Sequence, residues 1–165
     1  MKTCDEQMEQ LLDSFRRYYT VKSPSCAPQF AAEAEFHSHT EQYFLTKEAH
    51  IADIDSNEYV FFAKEGQLTK EKLSRLDESA WQTGLARVKL YSGHRNTDVS
   101  LLVVCEAADE DARKQAGKLR HYKSYRFGFL GWSGYRLLVY ENATGTVTTN
   151  RLGANLRSVV SKLGS

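Results

Sequence analysis

The hydrophobic positions of this chain change period several times, and each change marks an element. Over residues 5 to 19, DEQMEQLLDSFRRYY, Met8, Leu11, Leu12, Phe15 and Tyr19 recur at helical spacing. Acids open the run, where the helix dipole favours them. SPSCAP, residues 23 to 28, carries both prolines and breaks the pattern, so residues 20 to 29 read as a loop. From Phe30 the period becomes two. Phe30, Ala32, Ala34 and Phe36 share one side; Glu33, Glu35, His37, His39 and Glu41 share the other. AHIADIDSNEYVFFA, residues 49 to 63, holds two β-rich runs around Asp55-Ser56-Asn57, which predicts a hairpin turn there, and Gly66 closes the unit.

Helical spacing returns over residues 69 to 90. Thr69 is the candidate N-cap, and Leu73, Leu76, Ala80, Leu85 and Val88 form the stripe; Gly84 weakens its middle. YSGHRNTD, residues 91 to 98, is a polar loop. VSLLVVC, residues 99 to 105, is the most apolar run and suits a strand covered on both faces. Asp109, Glu110 and Asp111 then open a helix with Ala112, Ala116 and Leu119 on its apolar side. Residues 125 to 130 read as a strand with Tyr125, Phe127 and Phe129 facing the core. That strand–helix–strand order suggests a right-handed parallel crossover, with an antiparallel return as the alternative. Residues 135 to 141 and 146 to 150 are the last strands, and Asn150 caps a final helix carrying Leu152, Leu156, Val159, Val160 and Leu163. The fold class is α+β. A mixed, mostly antiparallel sheet is covered by helices in the order α-β-β-β-α-β-α-β-β-β-α, as one domain over residues 1 to 165 with the N-terminal helix packed on it.

Composition narrows the function classes. Apolar residues make up 41% and charged residues 26%, which is globular rather than disordered. With 22 basic and 21 acidic side chains the net charge is +1, so nothing draws the chain to polyanions from a distance. Cys4, Cys26 and Cys105 form no CxxC pair, and Cys105 lies inside an apolar run as a buried thiol. No apolar h-region opens the chain and no run reaches membrane length. A reduced, cytoplasmic protein without a membrane partner is expected.

Three stretches carry candidate chemistry. On a strand, His37 and His39 lie two residues apart on one face and can grip one cation, with Glu35 or Glu41 as a further ligand. Such a set suits a divalent metal such as zinc, and His50, His94 or His121 can complete it. The competing reading ranks ahead: the opposite side is apolar, so this side is the solvated face of a strand. In RHYKSYRFGFLGW, residues 120 to 132, Arg120, Lys123 and Arg126 alternate with aromatics, a pattern that binds phosphates while stacking bases. A nuclease-like arrangement needs an acid and then Glu-x-Lys on a strand. Asp53, Asp55, Glu58, Asp98 and Glu106 are the acids to consider, but no Glu-x-Lys follows on a strand. No GxSxG, P-loop or GxGxxG occurs, so no catalytic residue is assigned.

HSHTEQYFLTKEAHIADIDSNEYVFF (37 to 62), SYRFGFLGWSGYRLLVY (124 to 140) and TVTTNRLG (146 to 153) together resemble a family of small bacterial proteins with no assigned function. The resemblance spans residues 30 to 160 and implies a bacterial origin. It brings no catalytic residues. The expectation is a non-catalytic binding or regulatory module with a protein or small-molecule partner and no cofactor. The alternatives are a metal site at His37 and His39, and nucleic-acid binding through residues 120 to 132.

Overall fold

A computed structural model describes residues 1–44 and 49–164, with backbone alone at 39–44 and 49–55. Its elements are α1 (Cys4–Arg16), β1 (Thr20–Lys22), β2 (Ala32–Phe44), β3 (Ala49–Leu68), α2 (Lys70–Ala86), β4 (His94–Ala108), α3 (Glu110–Lys118), β5 (Tyr122–Ser124), β6 (Trp132–Glu141), β7 (Val147–Thr149) and α4 (Arg157–Val160). The sheet runs β1-β2-β3-β4-β6-β5, with β7 also on β6. β3 pairs with β4, and β4 with β6, in parallel; the other four pairings are antiparallel. The fold is therefore α+β with a mixed, mostly antiparallel sheet, as the sequence pattern predicts. Its parallel centre contains two helical crossovers, through α2 and through α3, where one was expected.

Helices cover both faces. On one side α2 and α3 pack on Phe61, Leu101, Val103, Leu137 and Val139; on the other α1 and α4 pack on Phe62, Leu102, Val104 and Leu138. β4 is the shared centre: every residue from Val99 to Cys105 is buried. Thr3 caps α1 with a full capping box, its hydroxyl taking the Glu6 amide while Glu6 takes the Thr3 amide. Thr69 caps α2 as expected, through the Lys72 amide. Gly84 has a packing reason: a Cβ there would lie 2.4 Å from Val99 Cγ2, so α2 rides directly on β4.

Several local expectations are corrected. Asp55-Ser56-Asn57 is not a turn, because β3 runs through it with pairing on both sides: Asn57 faces His37 of β2 and Thr97 of β4. Neighbours take up the Ser56 and Asn57 side chains: Ser56 donates to Asn96 at 2.8 Å, and Asn57 Oδ1 lies 2.7 Å from His37 Nδ1. Residues 20–22 are not loop but an edge strand on β2. Phe30 does not belong to the apolar side of β2. It precedes the strand and packs with Phe61 under α2, while Ala32 and Ala34 pack on the α1 side. β4 begins at His94, inside the stretch read as a polar loop. The final helix is a 3-10 turn over Leu152–Leu156 followed by the short α4.

The largest departure is at residues 125 to 130. This segment is a 3-10 turn, not a strand, because Arg126 and Phe127 both hold positive φ, 46° and 55°. Turn bonds close it, from the Gly128 amide to Tyr125 and from the Phe129 amide to Arg126. Only Tyr125 is buried. Phe127 and Phe129 are 100% and 87% exposed instead of facing the core. The crossover from β4 therefore ends on β6.

Candidate functional site

The acid–histidine stretch enters the structure on the α2 side of the sheet. Strand alternation puts Glu33, Glu35 and His37 there, and the antiparallel register sets them opposite Phe61, Tyr59 and Asn57. This side is not uniformly wet. Glu33 is only 3% exposed and pairs with Arg87, the residue that ends α2. The Cys26 amide at 2.8 Å and the Ser25 hydroxyl at 3.3 Å complete its shell. Burial pushes the Glu33 carboxyl up, but Arg87 and the Cys26 amide outweigh it and hold its pKa below the usual carboxylate range. The expectation that Glu33 faces water is thus corrected: α2 and the loop from residue 23 cover the start of β2.

Beyond the end of α2 the cover stops and a cleft of about 480 Å³ opens. Glu35 and His37 form one wall, Tyr59 and Asn57 the floor, and Arg87, Lys89 and Tyr91 the opposite wall. His37 sits 2.7 Å from Asn57 through Nδ1, and its Nε2 lies 3.9 Å from Glu35. Its ring meets Tyr59 edge-on at 5.8 Å. The Arg87 guanidinium lies over Tyr59 and Phe61, at 5.7 and 5.3 Å, while committed to Glu33. Lys89 is exposed and has no ion-pair or hydrogen-bond partner among the described residues. Thr97 closes the far end. Behind it His94 is buried, donating from Nδ1 to the Leu130 carbonyl at 2.6 Å while Nε2 meets Thr97 at 2.8 Å.

Of the proposed metal ligands, Glu35 and His37 are together in the cleft. The side chains of His39, Glu41 and His50 lie outside the described residues. His94 has both ring nitrogens engaged, and His121 lines a different cavity, so neither completes a set with His37. No group of three or more metal-ligating side chains occurs among the described residues. On the α1 side of the sheet, two of the acids weighed for a nuclease meet around a cation. Arg136 reaches Glu58 at 3.4 Å and Asp98 at 3.1 Å, and Tyr19 donates to Glu58. Burial, and then Glu58, raise the Asp98 pKa against the pull of Arg136. Arg120, Lys123 and Arg126 are exposed, with Lys123 5.8 Å above the Tyr125 ring.

Tyr59, Arg87, Lys89 and Tyr91 were not singled out from sequence. Their only signal is that Arg87 and Lys89 follow the last apolar positions of a helix. Which strand face they would meet depends on the parallel placement of β4, which local pattern does not encode.

The layered fold, with its polar cleft, defines an α+β domain. The chain belongs to the family described as a domain of unknown function, DUF8052, which matches residues 3–162. No curated protein and no solved structure matches it. The expected membership of a family without an assigned function is met. No helix among the described residues is long and apolar enough to cross a membrane.

Proposed function

We infer that the protein is a non-catalytic binding or regulatory module whose ligand occupies the cleft between β2 and the segment after α2. The observation that carries this reading is convergence: His37, Asn57 and the unpaired Lys89 line one concave space with two tyrosines. Arg87 is held by Glu33, so it shapes the wall, while Lys89 remains available to an anionic group. The ligand is a small molecule, or a side chain of a partner protein, that offers an anion to Lys89 and a flat face to Tyr59 and Tyr91. We place this role in the cytoplasm, which the three free cysteines support. The test is an amide-shift titration with amino acids, aromatic carboxylates and nucleotides. Saturable shifts at Asn57, Tyr59 and Lys89 support the reading; a panel without one refutes it for these classes. A zinc titration serves the metal alternative. Stabilisation by zinc that His37→Ala abolishes favours a metal site over an organic ligand.

Exposed Phe127 and Phe129 beside Lys123 and Arg126 favour a second reading, single-stranded nucleic acid stacked on that turn. A salt-dependent gel shift lost in Lys123→Ala/Arg126→Ala supports it; a shift indifferent to that change removes it.

A further inference from the structure

A second cavity, of about 270 Å³, lies beside α2 between the start of β5 and the segment after β7. Its walls are mostly apolar, from Tyr135, Tyr122 and Leu152. Its rim carries two arginines, Arg120 and Arg151, both exposed and neither with an ion-pair or hydrogen-bond partner among the described residues. Between them stands His121. Its Nε2 donates to Asp77 at 2.8 Å, and its ring stacks on Trp81 at 5.1 Å and 15°. Asp77 thus fixes the ring, and Nδ1 has no hydrogen-bond partner among the described residues. A carboxylate behind an imidazole orients the ring.

Tyr135 is fully buried, its hydroxyl closed off from the open space and lying against Asp77. Burial, and after it the neighbouring Asp77, push the Tyr135 phenol well above its ordinary pKa, so it stays protonated. The walls are also rigid. The Asn150 side chain accepts from the Leu137 and Gly153 amides and donates to the Leu119 and Tyr135 carbonyls, pinning the chain on both sides of Arg151.

We propose that this cavity binds a small organic oxyanion, a carboxylate or phosphate ester with a compact apolar body. The two guanidiniums take the anionic oxygens, and Leu152 with Tyr122 cover the apolar part. No carboxylate occurs between Leu119 and Tyr140, so nothing in that stretch competes for the arginines. The volume falls just under the ~300–1,000 Å³ of drug-sized sites, which restricts the ligand to small molecules.

Benzoate and phenyl phosphate are the probes, titrated into labelled protein while the resonances of His121, Tyr122 and Leu152 are followed. Saturable shifts with either probe are expected, and the tighter probe identifies the oxyanion. Arg120→Ala/Arg151→Ala, which alters exposed side chains alone, should weaken binding at least ~10-fold, the loss of charge-assisted contacts. Lys22→Ala, an exposed change outside both cavities, should leave it unchanged. The proposal is overturned if neither probe saturates by about 10 mM, where a ~1 mM site would be filled. It is overturned equally if the double variant binds as tightly as the parent.

Discussion

Two buried carboxylates, at different places in this fold, are held by arginine, and they end in different settings. Glu141 closes β6. It is fully buried, takes a two-pronged contact from Arg113 of α3 at 2.7 and 2.8 Å, and accepts the Ala108 amide at 2.9 Å. The arginine hydrogen bonds hold its pKa down against burial. The contacts tie α3 and the end of β4 to β6. Glu33 is paired just as firmly with Arg87, but its partner stands on the wall of the cleft. The same chemistry makes a joint in one place and a boundary in the other. The proposed cleft site rests on unpaired groups such as Lys89 lying beside that ion pair.

That contrast can be broken by mutation. Glu141→Ala should cost about 3 kcal/mol in urea unfolding, because it orphans a buried amide and opens a void, and it should leave cleft binding intact. Glu33→Ala should cost less, about 2 kcal/mol, yet change ligand affinity, since it frees Arg87 to turn into the cleft. Equal effects on binding would erase the distinction between joint and boundary. Both carboxylates have lowered folded-state pKa values, so the stability they contribute is fully present above their ordinary value of 4.5 and is lost as pH falls below it. Glu33→Gln/Glu141→Gln should therefore flatten the acid side of the stability–pH curve; an unchanged slope would assign it to other groups. Lys89→Ala should move stability by no more than ~0.5 kcal/mol, as for an exposed unpaired side chain, while weakening the cleft ligand. Phe127→Ser should be neutral to stability, in keeping with a side chain that packs on nothing.

Legibility in the sequence followed the same divide. The joints were readable where one residue type sufficed. Thr69 capped its helix, VSLLVVC lay buried on both faces, and the α1 stripe of Met8, Leu11, Leu12 and Phe15 faced the core. The boundary was half readable. Alternation placed Glu35 and His37 on one face, but nothing local says that α2 ends above them and covers Glu33 alone. Long-range contacts decided this, through the parallel pairing of β3 with β4. Tyr125 to Leu130 failed for the opposite reason. Its alternation suits a strand, yet the backbone at Arg126 and Phe127 turns left-handed and throws both phenylalanines outward. Asp55-Ser56-Asn57 has turn composition, but partners on both sides keep it extended.

The claim that the cleft beyond α2 holds the ligand is tested most directly by one comparison. The tightest compound from the titration panel is measured against the parent protein and against Lys89→Ala. A loss of at least ~10-fold, with shifts confined to the cleft in the parent, is the predicted result. Equal affinity in both proteins, with shifts mapping to another surface, would contradict it.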